Sequence, residues 1–203
     1  ILNSRPPQLY LKRNIEYIIP GNLEDHISLI SEADWIIEAV VEDLEIKKSL
    51  FERIEKFWKK GAIISTNTSG ISIESLSSQF PDEMKEHFLG THFFNPPRYM
   101  KLLEIIPSKK TRKDVVIRII DFAERYLGKG IVIAKDTPNF IANRIGIFSF
   151  LHTVKLMMEE GFSIEEVDAL TGDIIGRPRS ATFRTADMVG LDIIISVAQN
   201  LYK

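Results

Sequence analysis

The sequence alternates short apolar runs rich in Ile and Val with longer amphipathic stretches. Buried parallel strands read as short continuous apolar runs, and the helices that connect them are amphipathic, so this alternation predicts an α/β fold with a mostly parallel sheet. Since Glu38 is the one polar residue in the run 35–40, we expect this strand to be covered on both faces and flanked by neighbours. The predicted strands are residues 15–19, 35–40, 62–65, 88–94, 102–106 and 131–134.

Capping signals mark the helices between these strands. Asp43 can cap a helix that runs to about Lys60 and is stopped by Gly61. Thr111 can cap a second helix that ends at Gly128. Both lie between predicted strands, as the crossover helices of a parallel sheet do.

The pattern changes after Lys135, because no later apolar run is bounded by the turn signals of a strand. Thr137 followed by Pro138 predicts a helix start, since proline is tolerated at the first helical position. The stretch that follows, up to Gly161, is apolar around most of its circumference and predicts a buried helix.

Two further helices complete this helical region. Ser163 and Glu166 have the spacing of a capping box, and a last helix is predicted over residues 190–201. We therefore predict two domains, residues 1–135 with an α/β, mostly parallel sheet whose last strands are antiparallel, and residues 136–203 with helices alone.

Composition limits the class of partner. The 203 residues are 44% hydrophobic and 27% charged, with 26 basic and 28 acidic side chains and a net charge of −2, which is typical of a globular protein without an electrostatic footprint for nucleic acid or anionic membrane. Cysteine is absent, which excludes disulfides and thiolate metal sites. No apolar run reaches the ~18 residues of a membrane span, and residues 1–14 do not resemble a signal peptide. We expect a cytoplasmic protein that acts on a small molecule.

Polar residues follow three of the predicted strands at the point where each strand ends. Glu42 follows the strand at 35–40, the run 67–69 (Asn-Thr-Ser) follows the next, and Asn95 lies just past the strand that contains His92. Ligands of open α/β sheets bind beyond the carboxyl ends of the strands, so these residues are candidates for a binding site. Each one alone is equally compatible with an ordinary polar loop.

A candidate acid–base pair lies in the segment 90–106. The turn at residues 96–97 breaks this segment into two strands, and folding it about Arg98 sets His92 opposite Glu104. Facing residues of an antiparallel pair lie ~5 Å apart at Cβ, within reach of a hydrogen bond. Such a pair can act as a general base, with the carboxylate fixing the imidazole tautomer, or can be purely structural.

Asn143 interrupts the predicted buried helix of the second domain, where an unpaired amide would cost roughly 1–3 kcal/mol. Its partner is a backbone carbonyl, a group at the contact between the domains, or a substrate carbonyl. The histidines lack metal-ligand spacing, and we predict no metal. The dinucleotide fingerprint G-x-G-x-x-G is also absent, since Gly128 and Gly130 are followed by Ile133.

Four motifs resemble the 3-hydroxyacyl-CoA dehydrogenase family in both order and spacing. They are STNTSGISI at 65–73, GTHFFNPP at 90–97, MKLLEII at 100–106 and KDTPNFIANRI at 135–145. The resemblance covers residues from about 15 to 192. It implies a Rossmann-type domain followed by a helical domain, and NAD-dependent oxidation of the 3-hydroxyl of an acyl-CoA substrate in fatty-acid β-oxidation or a related pathway.

The same resemblance implies roles for individual residues. His92 resembles the catalytic base and Glu104 its orienting partner. Ser69 resembles the hydroxyl that binds the substrate oxygen near the nicotinamide, and Asn143 the amide that completes the site. The residues that resemble the family's cofactor contacts are Glu42, Lys47, Ser69 and Asn95.

The resemblance also implies partners. The family's helical domain forms much of a homodimer interface, and residues 176–192 look like the version fused to an enoyl-CoA hydratase in multifunctional proteins. Against the family pattern, the glycine-rich strand, turn and helix at the start and the last helices are missing, so we expect a truncated chain that alone binds NAD weakly. In the family's strand order this would leave the strand 35–40 without one neighbour.

Two alternatives to a 3-hydroxyacyl-CoA dehydrogenase follow from these observations. A non-catalytic structural or assembly module could retain the fold, although the intact His92 and Glu104 argue against decay of the site. A related β-hydroxyacid dehydrogenase is disfavoured, because those enzymes use a lysine on the second-domain helix where this chain has Asn143.

Overall fold

The computed structural model describes residues 3–201. The chain divides into two compact units, one formed by Ile1–Thr68 and Ile73–Ala134, the other by Ser69–Ser72 and Lys135–Lys203. The short segment Ser69–Ser72 therefore belongs with the helical unit, which the sequence did not predict.

The first unit is built on a five-stranded sheet in which the strand order follows the chain. Pairing is parallel from the first strand to the third, antiparallel between the third and fourth, and parallel again between the fourth and fifth. The predicted fold class, a mostly parallel sheet with antiparallel pairing towards its end and helices after it, is confirmed. The strands are β1 (Trp35–Glu38), β2 (Ile63–Thr66), β3 (Phe88–Phe93), β4 (Leu102–Pro107) and β5 (Gly130–Ile133).

The helices of this unit cover both faces of the sheet. One core cluster joins β2, β3 and β4 to α4 through Leu89, Ile105 and Ile119, among others. On the opposite face Phe51, Phe80 and Phe88 form edge-to-face aromatic pairs with centroids 5.0–5.3 Å apart. The α-helices are α1 (Leu44–Glu55), α2 (Ile73–Leu76), α3 (Asp82–Glu86) and α4 (Lys113–Arg125), and two 3₁₀ helices precede β1 at Lys12–Tyr17 and Ile27–Glu32.

Two strand predictions are wrong. Residues 15–19 are not a strand, because their backbone bonds are local: Ile18 N–H donates to Ile15 C=O at the end of the 3₁₀ helix. β1 lies at the edge of the sheet, next to β2: the prediction from its apolar run that neighbours flank it on both sides is wrong, whereas the loss of one neighbour expected from the resemblance is confirmed. Ile37 is accordingly 45% exposed, so the apolar character of β1 reflects one buried face and not two.

The helix signals were partly correct. The Asp43 carboxylate accepts hydrogen bonds from the backbone N–H groups of Glu45 and Ile46, as a cap should, but α1 ends at Glu55 and not near Lys60. Thr111 is not a cap. Its hydroxyl donates to the Phe88 carbonyl and accepts from the backbone of the preceding turn.

The second unit contains α5 (Ala142–Glu160), α6 (Ile164–Leu170), a 3₁₀ turn (Asp173–Ile175), α7 (Phe183–Val189) and α8 (Leu191–Leu201). The helix predicted from Thr137 begins later, because Asn139 (φ 58°) and Phe140 (φ 46°) adopt left-handed conformations that a right-handed helix cannot contain. The helix is also mostly exposed, with Ile147 its one buried residue. An apolar sequence allows a helix such as α5 to be buried, but burial also requires another element that packs on it.

The predicted capping box is confirmed, since Ser163 Oγ accepts from Glu166 N–H and Glu166 Oε2 accepts from Ser163 N–H. The Ser163 backbone bond, followed by its hydroxyl, lowers the pKa of Glu166. A lowered carboxyl pKa contributes stability above the pKa of the unfolded chain, and this contribution is lost as pH falls through the folded value.

We therefore expect the free energy of unfolding to fall less steeply between neutral and acidic pH in Glu166→Ala than in the wild type. Urea unfolding at a series of pH values measures this difference. Glu165→Ala, which removes a neighbouring carboxylate outside the box, is the matched control. Parallel pH profiles for Glu166→Ala and the wild type would contradict the assignment.

Candidate active site

Strands β3 and β4 bring His92 and Glu104 together. The two residues face each other in the antiparallel register, as predicted from the fold about Arg98. His92 Nδ1 lies 2.7 Å from Glu104 Oε2, and the two residues are 3% and 0% exposed. When Glu104 is ionised it can only accept, and Nδ1 then carries the shared proton and leaves Nε2 as the basic atom of a neutral ring.

Strand alternation determines which side of the sheet this pair occupies. Leu103 and Ile105 pack against α4, so Glu104 between them lies on the opposite face. Gly90, two residues before His92, leaves that face free for close packing: a Cβ there would lie 2.9 Å from Ile73 Cδ1. The pair is thus held by a closely packed part of the sheet, and not by a loop.

Lys129 fixes the connection between β3 and β4. Its ammonium donates to the backbone carbonyl of Pro97 and, at 2.7 Å, to that of Met100, and it lies 5.6 Å from the centroid of the Phe93 ring. Burial, followed by the charge of Lys101, lowers the pKa of Lys129. Sequence reasoning missed this residue, because nothing in its local pattern indicates that it reaches a loop some thirty positions earlier.

A buried ionic network lies at the carboxyl ends of β1 and β2. Lys47 Nζ donates to Glu38 Oε1 at 2.7 Å and lies 3.4 Å from Glu42 Oε2. Lys47 and Glu38 are 1% and 3% exposed, whereas the Glu42 side chain is 40% exposed. Thr68 Oγ1 donates to Glu42 Oε1 at 2.5 Å. The structure therefore joins two of the predicted cofactor residues, Glu42 and Lys47, and adds Glu38, whose signal was its place as the sole polar residue in an apolar run.

Asn67 ties the ends of the first three strands together. Its backbone N–H donates to the Glu38 carbonyl at 2.7 Å, and its side-chain oxygen accepts from Phe93 N–H at 2.9 Å. The predicted convergence of polar residues at one edge of the sheet is thus observed for Glu42, Asn67 and Thr68. Asn95 follows β3 in the connection to β4 and is exposed.

Ser69 and Asn143 belong to the second unit. Ser69 is half-buried and begins the segment whose Ser72 hydroxyl donates to Asp136 at 2.9 Å. Asn143 is the second residue of α5 and is half-buried. The expectation that it interrupts a buried helix is wrong, because α5 begins at Ala142 and is mostly exposed.

Among residues 3–201 no group of three or more His, Asp or Glu side chains is placed to hold a metal ion. No helix in that described range is long and apolar enough to cross a membrane.

Two family models together match most of the chain. The model described as 3-hydroxyacyl-CoA dehydrogenase, NAD binding domain, matches residues 12–137. The model described as 3-hydroxyacyl-CoA dehydrogenase, C-terminal domain, matches residues 140–203.

Curated and solved relatives agree with these matches. The chain is 54% identical over 202 residues to a Bacillus subtilis protein named "Probable 3-hydroxyacyl-CoA dehydrogenase", and the match covers all of this chain and 26% of the relative. It is 46% identical over 200 residues to a Deinococcus radiodurans protein of the same name, and that match covers 98% of this chain and 58% of the relative. It also resembles the crystal structure of (S)-3-hydroxybutyryl-CoA dehydrogenase from Ralstonia eutropha, with a TM-score of 0.78 and 29% identity over 87% of this chain and 61% of that one. The chain thus spans between about a quarter and three fifths of these relatives.

Proposed function

Because the chain belongs to the 3-hydroxyacyl-CoA dehydrogenase family, we propose that the protein oxidises the 3-hydroxyl group of an acyl-CoA thioester to a 3-oxo group with NAD as the oxidant. The observation that carries this proposal is the buried hydrogen bond between His92 and Glu104. It supplies a general base for the proton that leaves the hydroxyl as the carbon is oxidised.

The residues at the carboxyl edge of β1, β2 and β3 fit a dinucleotide. This edge is where open α/β sheets bind their ligands. A partly exposed carboxylate such as Glu42 is suited to accept hydrogen bonds from ribose hydroxyls. We assign Glu42, Ser69 and Asn95 to the ribose and nicotinamide portions of NAD, and Lys47, which is 1% exposed and bonded to Glu38, to holding the Glu42 carboxylate in place. When bound there, NAD supplies the hydride acceptor.

The proton follows a separate path from the hydride. As the C3–H hydride leaves the substrate, its O–H proton passes to Nε2 of neutral His92 and a carbon–oxygen double bond forms. His92 becomes an imidazolium, and the charge develops 2.7 Å from Glu104 Oε2 in a site with little exposure to water. A carboxylate already in position stabilises that charge without reorganisation. Ser69 and Asn143 are proposed to hold the substrate oxygens while this transfer occurs.

Pathway and partners follow from the same family membership. We propose that the enzyme acts in fatty-acid β-oxidation, that it is a cytoplasmic homodimer, and that it is joined to an enoyl-CoA hydratase in its multifunctional form. The resemblance of residues 176–192 to the fused version supports the last point.

We expect the full-length protein to reduce NAD in the presence of 3-hydroxybutyryl-CoA, with a rate that saturates with substrate. The absorbance of the reduced nicotinamide measures this rate directly. Butyryl-CoA, which lacks the 3-hydroxyl, is the matched control and should give no signal. Absence of turnover with a range of 3-hydroxyacyl-CoA chain lengths would contradict the proposal and favour a non-catalytic module.

A further inference from the structure

Glu38 is a buried carboxylate that the proposed chemistry does not use. Its side chain is 0% exposed, and both oxygens are engaged. Oε1 accepts from Lys47 Nζ at 2.7 Å and from Val40 N–H at 2.6 Å, and Oε2 accepts from Thr66 Oγ1 at 2.6 Å.

A buried ion pair at this place is not explained by stability alone. Taking two charges out of water costs several kcal/mol per ion, and well-packed apolar residues of similar volume are often as stable or more so. Glu38 and Lys47 are nevertheless almost completely buried. Their position at the binding edge of the sheet provides another reason for their presence.

Two branches of contacts connect Glu38 to Glu42 and Thr68. On one branch, Lys47 extends from Glu38 to the Glu42 carboxylate at 3.4 Å. On the other branch, the Thr66 hydroxyl donates to Glu38 and accepts from Thr68 N–H at 3.2 Å. The branches rejoin where Thr68 Oγ1 donates to Glu42 at 2.5 Å, so hydrogen bonds and the Lys47–Glu42 ion pair together form a closed ring.

The ammonium of Lys47 is fully used within this ring. Its Nζ donates to Glu38 Oε1 at 2.7 Å and to the Val40 carbonyl at 3.4 Å, and it forms an ion pair with Glu42 Oε2 at 3.4 Å. Lys47 is 1% exposed, and Glu42 is the member that reaches solvent. The orientation of the exposed carboxylate therefore depends on residues that solvent does not reach.

We infer that Glu38 is a positioning residue for the dinucleotide: it fixes Lys47 and Thr66 from inside the sheet, and through them sets the Glu42 carboxylate and Thr68 at the binding edge. This inference rests on the proposed function. Glu38 acts through these side chains and does not touch the reacting atoms.

The test is the near-isosteric variant Glu38→Gln in the full-length protein, with NADH affinity measured by the fluorescence of the bound nucleotide. Removing the charge of Glu38 weakens its bond to Lys47, so the Lys47 ammonium can move towards Glu42. The orientation of the Glu42 carboxylate is then no longer fixed. We expect the Kd for NADH to rise by at least about tenfold, with the KM for 3-hydroxybutyryl-CoA changed less than about twofold. A residue with a merely structural role would alter the melting temperature but not this contrast between the two ligands.

The double variant Glu38→Gln/Lys47→Met separates positioning from stability. It removes both charges, so no uncompensated buried ion remains, and its melting temperature should recover towards the wild-type value. Its NADH affinity should stay at least about tenfold weaker. If Glu38→Gln alone does not fold, this double variant carries the test. A double variant that binds NADH as tightly as the wild type would overturn the inference.

Thr91→Val is the matched control for a buried polar change in the same sheet. It removes the hydroxyl that donates to Ser65 at 2.8 Å, away from the Glu38 network, and should leave NADH affinity unchanged. If the wild type binds NADH and Glu38→Gln binds it equally well, the inference alone fails. If the wild-type protein binds no dinucleotide, the proposed function fails and the inference with it.

Discussion

Replacing His92 with alanine is expected to lower kcat for 3-hydroxybutyryl-CoA oxidation by about 10²- to 10⁴-fold, the range typical of a lost general base. The hydroxyl proton would then have to pass to water or buffer within a site that is nearly closed to solvent, since His92 is 3% exposed. The KM for NAD should change little, because the residues assigned to the dinucleotide are not altered. Steady-state kinetics with each substrate varied in turn measures both effects.

The control for this variant is His152→Ala, a histidine on α5 that stacks on Phe148 and has no assigned role. It should retain wild-type kcat. NADH binding by fluorescence establishes that the His92 variant is folded and competent to bind. Equal turnover by His92→Ala and the wild type would remove His92 from the role of base.

Replacing Glu104 with glutamine is expected to lower kcat by a similar amount, about 10² to 10⁴, as happens when the carboxylate of a histidine–carboxylate pair becomes an amide. A glutamine at 104 can donate to Nδ1, which favours the tautomer with the proton on Nε2 and so removes the basic atom. It also fails to stabilise the imidazolium that forms during transfer. Single-turnover measurements of hydride transfer report this loss without interference from product release.

Glu104→Asp is the informative companion, because it keeps the charge but shortens the side chain. It should retain more activity than Glu104→Gln if charge is the main requirement. A Glu104→Gln enzyme with wild-type kcat would show that the hydrogen bond to His92 is structural only.

The pairing of His92 with Glu104 could be predicted from sequence because it depends on local features. Both residues lie in one strand–turn–strand segment, and the register of an antiparallel pair follows from the centre of its turn. The capping signals of Asp43 and of Ser163 with Glu166 were correct for the same reason, since a cap acts within one turn.

Features that depend on distant residues could not be predicted. In the sequence, Glu38 is only a polar residue within an apolar strand. Its partners Lys47 and Thr66 belong to other elements, and the sequence pattern does not show that they bond to it. Lys129 likewise reaches a loop that precedes it by about thirty residues.

The wrong predictions share a physical cause. Residues 15–19 have the composition of a strand, but a strand needs a neighbour for its backbone groups, and here those groups bond locally. In the helical unit, proline at 138 is a valid helix start by local propensity. The left-handed conformations at Asn139 and Phe140 override it.

The most direct test of the account is a double-mutant cycle of His92→Ala and Glu104→Gln, with kcat/KM for 3-hydroxybutyryl-CoA oxidation as the measured quantity. If the two side chains act as one base, the double variant should lose no more activity than His92→Ala alone, because Glu104 works only through the imidazole. Losses that multiply, so that the double variant falls by the product of the two single effects, would contradict the central claim that these residues form a single catalytic unit.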